Sequence, residues 1–149
     1  MLTIQKLVAF SLLLFLRSGG VVSGIQPAPS SPQFSNQLAL QAPVLVPGKI
    51  INQELKGGEV NRFQIRLKAR QFLDLSVEQQ GIDVVVRLLG PDGKRVTEVD
   101  SPNGPDGPEP VVLIVRQSGT YTLEIKAPDP AAEPGKYQIT CEPLRRATP

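Results

Sequence analysis

The chain of 149 residues contains no histidine, no tryptophan and a single cysteine, Cys141. Without histidine it cannot form a Ser-His-Asp or Cys-His nucleophile system of its own, and the usual zinc ligand sets are also excluded. Serine and lysine remain, but no Ser-x-x-Lys spacing occurs. These absences predict that the chain is not an enzyme.

The single thiol also limits the redox chemistry of the chain, because one cysteine cannot form a disulfide within it. On a predicted strand, Cys141 shares a face with Tyr137 and Ile139, and this position favours a buried, inert side chain. The alternative, if that strand frays, is an intermolecular disulfide in an exported protein.

Aromatic residues are scarce, with two tyrosines and five phenylalanines. Sites for carbohydrates usually stack sugars on exposed aromatic rings. Phe10, Phe15 and Phe34 precede the predicted domain, and within it Phe72 is the aromatic residue on the outward parity of its strand. The composition therefore weakens the hypothesis of a glycan-binding module without removing it.

Charge of one sign is not in excess. Lys6 and Arg17 lie in the N-terminal segment, and without them the 16 basic residues become 14, equal to the 14 acidic residues. We expect a neutral surface with interspersed charges, which gives no electrostatic case for a nucleic-acid partner or for an anionic membrane.

Long apolar runs are absent too, the longest being the ten residues Leu7 to Leu16. A membrane-spanning helix needs roughly 20 apolar residues. With Lys6 before the run and small residues around Ser23 after it, residues 1–23 are predicted to be an export signal, and a membrane anchor interrupted by Arg17 is the alternative. We expect an exported chain, located in the periplasm, the cell envelope or the medium, with membrane contact during export alone.

The remainder divides into a linker, a domain and a tail. Residues 24–43 are rich in Pro, Gln and Ser and are predicted to be a disordered linker. Residues 44–143 show short segments in which every second side chain is apolar, separated by turns such as Pro91-Asp92-Gly93. We predict an all-β fold, a single antiparallel β-sandwich of about eight strands with a jelly-roll-like form, followed by a tail at 144–149. The predicted strands are Lys49–Leu55, Val60–Leu67, Phe72–Gln79, Asp83–Leu89, Arg95–Asp100, Val111–Arg116, Thr120–Lys126 and Lys136–Glu142.

One parity of these strands is predicted to form the core between the sheets. Its members are Phe63, Ile65, Leu67, Leu73, Leu75, Val77, Val84, Val86, Leu88, Leu113, Val115, Tyr121, Leu123, Ile125, Tyr137, Ile139 and Cys141. The segment Asp83–Val86 is apolar on both faces, which indicates a covered central strand or an outer face that meets another domain. We therefore take Phe72 and Val85 as candidate surface contacts.

Grouped carboxylates are the remaining candidates for a site. Asp100, Asn103, Asp106 and Glu109 surround the loop DSPNGPDGPEP, and hard oxygen ligands on one loop are the type that calcium prefers. Their three-residue spacing lacks the alternating register of an EF-hand loop. A loop stiffened by Pro and Gly is favoured over a calcium site, and no cofactor is expected.

The order GGEVNRFQIRLKARQFLDLSVEQQGIDVVVRLLGPDGKRVTEVDS, then SGTYTLEIKA, then PGKYQIT resembles the bacterial pre-peptidase C-terminal domain over about two-thirds of the chain. The resemblance implies a β-sandwich found in secreted or envelope proteins, accessory to a larger polypeptide. GIDVVVRLLGPDGK with GPEPVVLIV is also similar to a segment that precedes tetratricopeptide repeats and a CHAT domain, so the chain is a candidate fragment of such a protein. Arg70 replaces the turn glycine of the family.

These observations predict a non-catalytic, exported module that binds a protein partner or a neighbouring domain through an apolar outer face or a sheet edge. The alternative hypothesis is an adhesion module that binds calcium or carbohydrate.

Overall fold

The structure, a computed structural model, describes residues 42–147. The predicted export signal, the linker up to residue 41 and the last two residues of the tail lie outside the described residues and stay predictions. Within this range the chain forms nine β-strands and no helix, which confirms the all-β prediction. In residues 42–147, no helix has the length and hydropathy that crossing a membrane requires.

The nine strands form two antiparallel sheets. One sheet has the order β1-β8-β3-β6, with the short β9 added to β3 beside β8, and the other has the order β2-β7-β4-β5. The sheets face each other as a sandwich. The strands are β1 Ile51–Leu55, β2 Val60–Leu67, β3 Gln71–Gln80, β4 Val85–Leu89, β5 Arg95–Val99, β6 Asp106–Ile114, β7 Gly119–Lys126, β8 Gly135–Cys141 and β9 Arg145–Arg146.

The core lies between the sheets and follows the predicted parity. Every predicted core residue is buried except Leu113, which is partly buried and packs against the cluster. Alternate residues of a strand point to opposite faces, so one correct parity places the whole inward set of a strand in the core. Five further buried apolar residues join the cluster: Leu45, Leu55, Ile82, Val111 and Ala127.

Most predicted strand ends differ from the structure by one or two residues, and three differences are larger or concern pairings that were not predicted. β6 begins at Asp106 rather than at Val111, and it includes Pro108 and Pro110. Proline donates no backbone hydrogen bond, so the sequence here indicates a turn, but an edge strand accepts proline on its unpaired side. The predicted tail also contains β9, and Val44 at the start of the domain forms a single parallel bridge with Gln64 of β2.

The turn between β2 and β3 has a conformation that favours glycine, although Arg70 occupies the position. Arg70 has a φ of 68°, and the N–H of Gln71 donates to the carbonyl of Lys68 at 3.1 Å. A positive φ at the third position is typical of a type II turn, which favours glycine. A non-glycine residue here costs about 1–2 kcal/mol. Two backbone bonds hold Arg70, from its own N–H to Val115 and from the N–H of Ala147 to its carbonyl.

Candidate binding surface

A buried polar cluster closes the end of the sandwich where β3 meets the loop between β5 and β6. Gln79 is buried on β3, and its amide nitrogen donates to Asn103 Oδ1 at 2.9 Å and to the carbonyl of Gly104 at 2.7 Å. Its amide oxygen accepts the N–H of Val84 at 2.8 Å. Glu109, 0% exposed, accepts the N–H of Ser101 at 2.9 Å and lies 3.3 Å from the Gln79 nitrogen. Gln79 therefore joins two loops to the sheet.

The structure brings two of the four calcium candidates together. Asn103 and Glu109 meet at Gln79, whereas Asp106 accepts the N–H of Gly81 at 3.2 Å and Asp100 is exposed, with no side-chain hydrogen bond to the described residues. Among residues 42–147, no three acidic or cysteine side chains are placed to hold a metal ion. Every described buried polar side-chain atom has a hydrogen-bond partner. The hydrogen bonds of this cluster hold the loops after β3 and β5 against the sheet.

An apolar opening lies between β5 and β6, the edge strands on the same side of the two sheets. A cleft of about 820 Å³ is lined by apolar Val96, Leu113 and Ile114 and by basic Lys94 and Arg116, among others. Val96 is 49% and Ile114 is 55% exposed. A smaller cleft of about 620 Å³ beside β1 and β8 is lined mainly by polar side chains. The cleft between β5 and β6 is thus the candidate binding surface.

On the side away from β3, the backbone of β6 has no partner strand among residues 42–147. Val115, just after β6, donates its N–H to Gln71 at 2.8 Å and accepts the N–H of Arg70 at 2.7 Å, so both of its polar groups face β3. Successive residues of a strand alternate, so Ile114 and Val112 direct their N–H and C=O groups to the open side. An unpaired strand edge of this kind is a template for another strand.

A bulge in the facing strand shapes the opposite wall. The pairing of β4 with β5 shifts between Leu88 and Leu89, which leaves Val96 without a partner in the register. A bulge re-aims side chains and ends regular pairing. Val96 is exposed and lines the cleft.

The two predicted contact residues are less available than their positions indicate. The guanidinium carbon of Arg145 lies 4.4 Å from the ring centroid of Phe72, which is partly buried. Val85 is 8% exposed and buried at the start of β4. Val112 and Ile114 are both more exposed than Val85, and the sequence signal for them is the run VVLIV, which is apolar on both parities of β6.

The tyrosines and the cysteine are packed, as predicted. The Tyr121 hydroxyl donates to the carbonyl of Gln117 at 2.7 Å, and the Tyr137 hydroxyl accepts from Asn61 Nδ2 at 2.8 Å. Burial raises the pKa of Tyr137 to about 12. Burial, with smaller effects of Glu142 and Asp74, raises the pKa of Cys141 to about 11. A thiol of this pKa is almost entirely protonated near neutrality and is a poor nucleophile.

Comparisons of the sequence with family models and with curated proteins find no match. Solved structures do match. The chain is similar to the pre-peptidase C-terminal domain of collagenase from Bacillus anthracis, with a TM-score of 0.55 and 18% identity, over 68% of this chain and 95% of that domain.

The chain is also similar to PliG, a periplasmic inhibitor of g-type lysozyme. The Salmonella Typhimurium protein matches with a TM-score of 0.51 and 16% identity, over 70% of this chain and 99% of that one. The Aeromonas hydrophila protein matches with a TM-score of 0.50 and 11% identity, over 68% and 96%. At these identities the likeness concerns the fold, and the chain has the β-sandwich fold of a pre-peptidase C-terminal domain.

Proposed function

We propose that this chain is a non-catalytic module that binds a protein partner through the cleft between β5 and β6. The observation that carries the proposal is the unpaired edge of β6 beside exposed Val96 and Ile114. Such an edge supplies backbone hydrogen bonds, and the cleft supplies pockets for alternate side chains, which together describe recognition by strand addition.

The chemistry of the side chains agrees with a binding role. The sequence has no histidine, and its single thiol is buried with a raised pKa. The similar structures include inhibitors of g-type lysozyme, which is itself a protein. They support the proposal as examples of this fold in protein binding.

Export and an accessory role are further parts of the proposal. They are supported by the apolar segment at Leu7 to Leu16 and by the periplasmic location of the PliG proteins. An immunoblot of envelope, medium and cytosolic fractions from the native source tests both. We expect the band outside the cytosol, and a band far above 16.1 kDa would mean that the domain is part of a larger polypeptide.

Site-specific photo-crosslinking tests the binding surface. A photoreactive residue is placed at position 114, in the cleft, or at position 133, an exposed position outside it, and each chain is incubated with envelope extract. We expect a product of discrete mass from position 114 that unlabelled chain suppresses, and none from position 133. Equal products from both positions, or none from position 114, would contradict the proposed surface.

A further inference from the structure

The charges of this domain are not evenly interspersed as its composition predicts, because cations are in excess at one end. The turns after β2, β4 and β6 meet at one end, because Arg70 bonds to Val115 and Gly119 lies against Pro91. This end, the basic end, has three carboxylates, Asp92, Glu98 and Glu142, and seven cations: Lys68, Arg70, Lys94, Arg95, Arg116, Arg145 and Arg146. The loops at the other end hold Glu59, Asp83, Asp100, Asp106, Asp129 and Glu133.

Four arginines of the basic end lack a carboxylate partner in the part of the chain that the structure describes. Lys94 pairs with Asp92 and Arg95 pairs with Glu98, but none of the ion pairs within residues 42–147 includes the other arginines. These four are exposed: Arg70, Arg116, Arg145 and Arg146. Their fields add at this end, which favours an anionic ligand.

Along the open edge of β6, a second strand can pair only with the part near these arginines. Pro108 and Pro110 lie on the same parity as Val112 and Ile114, so they face the open side and have no N–H to donate. The carbonyl of Pro108 also accepts from Asn103 Nδ2 at 3.1 Å. A strand can therefore pair with β6 from Val112 onward, which is the part that runs into the basic end.

The two sides of an added strand would meet different surroundings. One parity would lie along the outer face of the sheet, where Ile114 and Arg116 share the outward parity. The other parity would point into the cleft against Val96 and partly buried Leu113. Alternate side chains of a strand point to opposite faces, so the two surroundings select two residue types in alternation.

We propose that the partner presents an acidic, extended segment in which Asp or Glu alternates with apolar residues, and that this segment adds as a strand to β6 at Val112–Arg116. The inference rests on the proposed function and names the chemistry of its partner. The carboxylates face Arg116, and the apolar residues fill the cleft between β5 and β6. Guanidinium groups bind carboxylates in a bidentate geometry, which lysine does not reproduce.

Fluorescence anisotropy with the full chain and a synthetic peptide tests this inference. The probe is a labelled peptide of about ten residues that alternates Glu with Val, and the matched control peptide carries Gln in place of Glu. We expect the Glu peptide to bind at least about tenfold more tightly, and raised salt to weaken its binding because the charges are exposed. N-methylation of alternate amides on the pairing side of the peptide should abolish binding, since strand addition needs those donors.

Variants of the chain locate the site. Arg116→Glu should weaken binding of the Glu peptide about tenfold or more, and Ile114→Pro should do the same by removing an edge donor. Lys56→Glu at the other end of the domain is the matched control and should bind as the original chain does. Far-UV circular dichroism and the midpoint of thermal unfolding show whether each variant is folded, and if Ile114→Pro unfolds, Arg116→Glu and the N-methylated peptide decide the result.

Three outcomes would overturn the inference. Equal binding of the Glu and Gln peptides would exclude acid recognition, and loss of binding in Lys56→Glu equal to that in Arg116→Glu would exclude this location. Tighter binding of a single-stranded oligonucleotide than of the Glu peptide would make the basic end a nucleic-acid surface instead. If crosslinking from position 114 succeeds while the peptide fails, the proposed function stands and this inference alone is wrong.

Discussion

Replacing Gln79 with methionine keeps the side-chain volume but removes the bonds that join two loops to β3. The N–H of Val84 loses its partner in a buried position, which costs about 1–3 kcal/mol. Asn103 and Gly104 each lose one bond worth about 1 kcal/mol. Burial of the apolar methionine returns about 1–2 kcal/mol. We expect Gln79→Met to lower the free energy of unfolding by about 2–3 kcal/mol.

Urea titration followed by far-UV circular dichroism measures this loss. A change of 1 kcal/mol shifts the unfolding temperature of a domain this size by roughly 4–8 °C. The midpoint of thermal unfolding, measured on the same variant, should therefore fall by about 10–20 °C. Gln80→Met is the matched control, because Gln80 is the exposed neighbour and should change stability by less than about 0.5 kcal/mol. A loss below about 1 kcal/mol for Gln79→Met would refute the argument that this amide holds the loops.

Three other predictions follow from single contacts. Arg70→Gly should raise the free energy of unfolding, measured in urea, by about 0.5–1 kcal/mol. Glycine removes the strain of the positive φ, but the gain is limited because glycine makes the unfolded chain more flexible. Arg70→Ala should give no gain, since alanine keeps the strain. Burial raises the pKa of Tyr137 from 10.0 to about 12, so its stabilising effect is complete below about pH 10 and is lost as the pH rises towards 12; urea midpoints of Tyr137→Phe should decline less over that interval. Millimolar calcium should leave the thermal midpoint as it is in EDTA, since both Glu109 oxygens lie beside N–H donors, and a rise that Glu109→Gln abolishes would instead support a calcium-binding module.

The sandwich and its core could be predicted because period-two patterns are local. Phe63, Ile65 and Leu67 show their inward parity within five residues of sequence, and the structure buries all three. Strand existence needed no knowledge of the pairing partner. The order of the strands in each sheet depends on contacts between distant segments, and the sequence pattern alone does not contain it.

The site was harder to predict because its features depend on that order. Pro108 and Pro110 indicate a turn until β6 is known to be an edge strand with its prolines on the open side. Glu109 resembles a loop carboxylate in the sequence, yet in the structure it is buried and contacts Gln79, which is distant in the chain. The excess of cations at one end also becomes visible when topology brings Arg116 and Arg145 to the same end of the molecule, some 30 residues apart in the chain.

The two prolines of β6 also bear on how this domain avoids polymerising. An edge strand that is open along its whole length can pair with the same edge of another copy and extend into a continuous sheet. Pro108 and Pro110 remove the donors from half of β6, so two copies aligned antiparallel along this edge would place each open half against the other's proline half. The same residues that restrict where a partner strand binds therefore disfavour the symmetric dimer and the fibril that could grow from it.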